Sequence, residues 1–485
     1  MKKFWQQRWL WLIIIFAFLL RLPLLNGSFW LDEAAQALES VRPFAQQLQI
    51  VPDFQPPLMH YLVHFAAQLS IVEWWLRLWG ALIPGLITIW LTYELGKKLW
   101  SKQVGLVASL LLATSSLHIF YSQELRPYSL PAMWGMISTW LLFKKDWQWW
   151  QFGLASLAGL YSSYLYPFLL IPQLWLVWRR HGRAALVKSL ALAGALFAPW
   201  LPMFFRQLAA GQQLRIALPN WETAVSLPQA KALVLVPLKF VYGLLNVEPT
   251  AFFMLTLGLL AIALVLSWRP LLKQKFWQWE NDALQLLLLF VSPLILSWLV
   301  SFAVPIVRPK RLLYLLPFFY LLTALPLAKK KINWRLAILP ALILAGINLY
   351  STASYWTNPH LQREDWRSLK QEILVKFPAE DTIAVFAFNE AFSPWRWYQP
   401  AAIPSLSINQ GGLKNSGQLA AQLEIITNYR YVLVFDYLRD LTDPNRVLEP
   451  AIESYGFTGR GVIDYPNIGF VRIYSQREFA IGLRP

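Results

Sequence analysis

The chain has 485 residues, of which 57% are hydrophobic and only 14% charged, and it has no cysteine. A soluble domain carries about 25% charged residues, so the composition excludes an ordinary soluble protein and points to a polytopic membrane protein with a modest soluble part. The net charge of +17 lies mostly in short loops between apolar runs, where topology and anionic lipid account for it better than nucleic acid does. The lack of cysteine excludes disulfides and thiolate metal sites.

The chain opens Met1-Lys2-Lys3, and an apolar run begins at Trp9. Leu19 to Leu25 stays bulky, with no small-residue cleavage site, so this run reads as a retained first transmembrane helix rather than a signal peptide. Apolar runs then recur at roughly 75–95, 103–120, 127–143, 149–163, 165–178, 185–205, 250–268, 283–303, 312–327 and 334–350. With the first run at 9–26, that makes about eleven transmembrane helices. The stretch 58–72 starts after Pro56-Pro57 and contains His60, His64 and Gln68, which suits the membrane surface better than the interior. Many of the 27 tryptophans lie near the ends of apolar runs, where interfacial anchors belong.

Loop charge orients the chain. With the amino terminus inside, the inner loops hold nineteen lysines and arginines and the outer loops nine, although the outer loops are longer. That bias places the amino terminus in the cytoplasm, and an odd number of spans places the carboxyl terminus outside. Residues 1–350 then form the membrane domain, with 27–74 as its first outer loop, and 351–485 form an extracytoplasmic domain. In that second part, 361–377 reads as an amphipathic helix and Thr382–Phe388 and Tyr431–Phe435 as short strands. Gly417–Thr427 and Asn445–Tyr455 have helical spacing, and Gly469–Tyr474 has the look of a last strand. The alternation predicts a small α/β domain. It contains no glycine-rich phosphate loop, and the chain shows no internal repeat.

Three polar clusters interrupt this pattern. The first is Phe29-Trp30-Leu31-Asp32-Glu33-Ala34, an acidic pair just past the first apolar run. A carboxylate there is often only a helix cap or a solvated loop charge. An aromatic, partly dry setting instead raises a carboxyl's pKa and suits a general base. The second is Tyr121-Ser122-Gln123-Glu124-Leu125-Arg126-Pro127-Tyr128, at the outer end of a span. Charges at that border are costly and usually functional, although Glu124 and Arg126 also suit an internal salt bridge that pins two helices. The third is Arg308-Pro309-Lys310-Arg311, three cations on an outer loop against the charge bias. Arginine binds phosphate in bidentate fashion and lysine adds a point charge, so a phosphate or a lipid headgroup is the natural partner. The three clusters are expected to meet on one face of the membrane. Asp53, Gln55 and His60 lie near Pro56-Pro57. His60 and His64 are spaced to share a metal, but with no third ligand near they read better as an interfacial pair.

The order Phe-Trp-Leu-Asp-Glu-Ala, Gln-Pro-Pro-Leu-Met-His-Tyr, Leu-Arg-Leu-Trp-Gly and His118 to Leu130 resembles the bacterial branch of glycosyltransferase family 39. That branch is related to the protein O-mannosyltransferases and the lipid A aminoarabinose transferases. The resemblance covers about residues 1–330, and Glu364-Asp365-Trp366-Arg367 is similar to the start of the soluble domain in related mannosyltransferases. It implies an α-helical polytopic membrane protein of GT-C type. It also implies a polyprenyl-phosphate sugar donor (mannose or a similar hexose or pentose) and inverting transfer to a hydroxyl acceptor on protein, lipid or glycan. By the family's pattern Asp32 is the base, Glu33 orients it or binds acceptor, and Glu124 is the second acidic residue of the site. Arg126, Arg308, Lys310 and Arg311 would hold the donor phosphate, and Gln55, His60 and Tyr128 are further substrate-binding candidates. A phosphate leaves readily, so no cofactor is required. A divalent ion held by Asp32 and Glu124, as in related oligosaccharyl transferases, is compatible with the pattern. Membrane lipid is an expected partner and nucleic acid is not. The alternative function is a transporter or flippase of a lipid-linked glycan, whose path would also need border charges.

Overall fold

A computed structural model describes residues 2–217, 229–272, 278, 281–328, 333–388, 390–398, 403–408 and 416–476. Lys273, Lys275 and Lys329 to Lys331, counted among the inner-loop cations, lie outside these residues. The chain divides into two units. The first is helical and takes residues 1–26, 40–213 and 222–361; the second is built chiefly from residues 27–39 and 362–485.

In the first unit, six helices among the described residues are long and apolar enough to cross a membrane: Glu73–Leu99, Arg183–Gln213, Ala251–Arg269, Asp282–Val300, Pro309–Ala328 and Trp334–Thr357. The remaining apolar runs fold as shorter helices, such as Ser129–Leu142, Trp149–Leu160 and Tyr166–His181, because polar turns at 122–128 and 161–164 break the sequence between them. The chain is thus a multi-pass membrane protein; length and hydropathy single out six candidate spans among the described residues, which does not confirm the expected count of about eleven. Without a hydrophobic drive between helices in lipid, small residues set close packing. Gly105 shows this: a Cβ there would meet the Tyr93 carbonyl oxygen at 2.5 Å, so Lys102–Thr114 lies directly on Ile83–Leu99.

The second unit holds a five-stranded sheet of β1 (Thr382–Phe386), β2 (Ser405–Ser407), β3 (Tyr431–Phe435), β4 (Phe457–Tyr465) and β5 (Gly469–Gln476), in the order β2-β1-β3-β5-β4. β1 pairs in parallel with β2 and β3, while β5 runs antiparallel to β3 and β4. The central strands are apolar on both faces, and period-two alternation sorts them. Ala384, Phe386, Leu433 and Phe435 face a core with Trp366, Leu369 and Ile373 of the helix Trp366–Lys376. Ile383, Val385, Val432 and Val434 face Leu419, Leu423, Leu448 and Ile452 of the helices Ser416–Leu423 and Leu448–Ser454. Leu31 packs against the first of these cores, which docks the acidic segment on the Trp366 face of the sheet.

Candidate active site

The acidic pair sits in the first turn of a ten-residue helix, Leu31–Ser40. Its first internal hydrogen bond runs from the Ala34 N–H to the Trp30 carbonyl at 2.9 Å, so the amino end is fixed just ahead of Asp32. Acidic side chains favour that position because the helix dipole is positive there. Asp32 is half-buried, and Glu33 is fully buried with its carboxylate 3.7 Å from the Arg363 guanidinium. The segment before the helix is tied down within the same unit. The Phe29 N–H donates to the Tyr398 hydroxyl at 2.7 Å, and the Phe29 ring lies 5.6 Å from Trp397. The Ser28 hydroxyl accepts the Arg367 N–H at 3.2 Å.

Beside this pair lies a residue to which sequence reasoning gave no role. The Glu364 carboxyl accepts the Trp366 indole N–H at 2.7 Å and the Tyr437 hydroxyl at 2.7 Å. It also accepts the backbone N–H of Leu31. Burial, helped by the negative Asp32, pushes the Glu364 carboxyl up to about 7, although its three donors favour the ionised form. The only sequence signal was an acidic residue in the Arg-Glu-Asp-Trp-Arg stretch, and the neighbouring Asp365 is the one that caps the helix Trp366–Lys376.

In the first unit, residues 122–128 fold as tight turns. The Arg126 N–H donates to the Glu124 carbonyl at 2.7 Å and the Tyr128 N–H to the Arg126 carbonyl at 2.8 Å. Gln123 anchors the turn: its amide donates to the Arg21 carbonyl at 2.6 Å and to the Pro23 carbonyl, and it accepts the Tyr355 hydroxyl at 3.2 Å. Glu124 is buried, with 1% of its surface exposed. Arg126 forms an ion pair with Asp53 at 2.9 Å. The Asp53 carboxylate also meets the His60 ring at 2.6 Å and the Gln55 amide. Burial alone would raise the Asp53 carboxyl, but the Arg126 guanidinium and His60 outweigh it and hold it below the usual carboxylate range. His64 turns elsewhere, to the Ser40 carbonyl at 2.9 Å, so the two histidines have separate partners.

The third cluster splits. Arg308 and Lys310 line a cavity of about 600 Å³ together with Lys239, Tyr121, Asn246 and Glu248. Burial lowers the pKa of both Arg308 and Lys239, so each carries a charge its surroundings disfavour. Lys310 also sits 5.3 Å over the Tyr128 ring, which itself meets Tyr121 edge-on at 5.1 Å. Arg311 instead bends back to the Ile306 carbonyl at 3.2 Å. Lys239 was missed as a site residue because it lies in the helix Gln229–Tyr242, far from the motif in sequence.

Residues 54–205 match the family model described as dolichyl-phosphate-mannose-protein mannosyltransferase. In structure the chain is similar to ArnT from Cupriavidus metallidurans in the apo state, with a TM-score of 0.52 at 12% identity, covering 100% of each chain. The same enzyme bound to undecaprenyl phosphate gives 0.53 at 11%, covering 99% of each. The apo oligosaccharyltransferase of Archaeoglobus fulgidus gives 0.50 at 13%, covering 100% of this chain and 76% of that one. A search of curated proteins returns no match. The resemblance read from the motifs is therefore borne out: the chain has the GT-C fold of these glycosyltransferases, and its segment 54–205 matches a mannosyltransferase family.

Proposed function

We propose that the protein is a membrane glycosyltransferase that moves a sugar from a polyprenyl-phosphate donor to an acceptor hydroxyl on the extracytoplasmic face. The observation that carries this reading is the cavity lined by Arg308, Lys310 and Lys239. Three cations around one space, two of them weakened by burial, suit a phosphate that leaves with growing negative charge. Undecaprenyl phosphate bound to ArnT is the chemical precedent in this fold.

Each group then has a task. Arg308, Lys310 and Lys239 hold the donor phosphate and stabilise it as the bond to the sugar C1 breaks. Asp32 takes the proton of the acceptor hydroxyl as that oxygen attacks C1, and the transfer inverts the anomeric centre. Glu33, held by Arg363, orients the acceptor, and Glu124 is the second acid of the site. Arg126 is engaged by Asp53, whose carboxylate also meets Gln55 and His60, and its proposed part is to hold that buried cluster together. Tyr128 supports Lys310. Because a phosphate is a good leaving group, no step needs a metal. Mannose or a similar sugar is the proposed cargo.

Donor binding tests this directly. Polyprenyl phosphate added to the purified protein should raise its melting temperature, since a ligand that binds only the folded state stabilises it. In Arg308→Ala and Lys310→Ala the shift should shrink or vanish. A shift of the same size in both variants would remove the cavity from donor binding.

A further inference from the structure

The helix that bears the acidic pair is held at its amino end by two consecutive residues of the second unit. A helix leaves its first four N–H groups without partners inside the helix. Here Leu31, at the first helical position, packs against the cluster that holds Trp366 and Tyr437, which brings its backbone to the Glu364 carboxyl. The same carboxyl is pinned by the Trp366 indole and the Tyr437 hydroxyl, each at 2.7 Å. Those two partners are rigid: Trp366 is 2% exposed, its ring stacks on Phe435 at 5.9 Å and meets Tyr437 edge-on at 5.4 Å. The adjoining Arg363 pairs with Glu33 at 3.7 Å. One dipeptide thus reaches both ends of the problem: Arg363 takes the second acid of the pair, and Glu364 fixes the turn on which the first is mounted.

We propose that Glu364 is a positioning residue for Asp32 and Glu33, closing the amino end of their helix so that the sheet domain sets the aim of both carboxylates. The inference rests on the glycosyl-transfer reading for its functional consequence, but not for its geometry. It gives the soluble domain a part in the reaction. Above about pH 7, where the carboxyl is ionised, the cap is a charged hydrogen bond, so its loss should loosen the first turn while the sheet stays intact. Displacing a base by even an ångström slows proton transfer without weakening the grip on a donor bound elsewhere.

The test uses full-length protein in detergent, wild type beside Glu364→Gln and Glu364→Asp, with two readouts. Hydrogen exchange reports the geometry without needing turnover. In Glu364→Gln, peptides covering residues 27–39 should exchange about tenfold faster, as expected for loss of one charged hydrogen bond. Strands β1 and β3 should keep their protection. Turnover of a polyprenyl-phosphate sugar reports the consequence: kcat should fall at least about tenfold with the donor KM unchanged. Glu364→Asp, which keeps the charge, should recover part of kcat. Unchanged exchange at 27–39, or faster exchange throughout the sheet, overturns the proposal. So does an unchanged kcat, even if exchange rises. If wild type turns over no donor while exchange at 27–39 still rises in Glu364→Gln, the holding role stands and it is the glycosyl-transfer reading that fails.

Discussion

Asp53 and Glu364 are both carboxylates set among hydrogen-bond donors, yet they titrate in opposite directions. Burial pushes both up; at Asp53 the Arg126 guanidinium at 2.9 Å, with His60, outweighs it, whereas at Glu364 the negative Asp32 adds to it. Removing Arg126 strips a buried Asp53 of its guanidinium partner, so Arg126→Ala should cost about 3 kcal/mol and lower the melting temperature. A melting temperature equal to wild type would show the pair to be solvated. Glu364 makes a prediction with the other sign. Its folded pKa is about 7 against an ordinary 4.5, so the folded state binds more protons than the unfolded one in that interval. Stability of the second unit should therefore fall as pH rises from about 5 to about 7, and Glu364→Gln should flatten that slope. A slope unchanged by the substitution would mean that other groups set it. None of this was legible from residue type alone. The motif named Asp32, Glu33, Glu124 and Arg126, but Asp53 and Lys239 acquire meaning only once distant segments are folded together.

The elements most readable in the sequence were those whose pattern is local. Tyr431–Phe435 is a strand with the predicted bounds, because a five-residue apolar run flanked by polar residues has few other solutions. The helix expected within 361–377 is Trp366–Lys376, started by the Asp365 cap. β4 was missed: Thr458 to Val462 include Gly459, Arg460 and Gly461, which read as a turn, and the strand exists because β5 pairs with it across a bulge at Gly459/Gly461. β2 was missed because three residues carry no period. The acidic pair was legible as a polar cluster, but the attachment of its helix, Leu31–Ser40, was not. Phe29 is fully buried and packs on Trp397, so Phe29→Ala should cost about 3 kcal/mol in the second unit. Hydrogen exchange at 27–39 would reveal the loss, and no change there would show that the segment is held by its other ties, from Ser28 to Glu33, without the Phe29 ring.

Over the whole chain, the second unit is discontinuous: residues 27–39 belong with residues 362–485 rather than with the helices that flank them in sequence. Hydropathy could not show this, since it sorts segments by solvent and not by partner. It did separate a membrane part from an α/β part, because composition changes near Tyr350. Orientation is the remaining expectation at this scale, and the absence of cysteine makes it simple to test. A single Lys376→Cys, on an exposed side chain of the second unit, should react with a membrane-impermeant maleimide in intact cells. Lys98→Cys should react only after permeabilisation. The reverse pattern would invert the topology derived from loop charge.

Sugar transfer itself is the most direct measurement. Purified protein in detergent would be offered radiolabelled polyprenyl-phosphate mannose and related donors, wild type and Asp32→Asn side by side, with melting curves to confirm that both are folded. Wild type should turn over donor, and Asp32→Asn should lose at least about a thousandfold, the range expected when a general base is removed. Near-normal turnover in a folded Asp32→Asn protein would contradict the role given to Asp32. No turnover with any donor, together with movement of lipid-linked sugar across liposomes, would contradict glycosyl transfer and leave a flippase in its place.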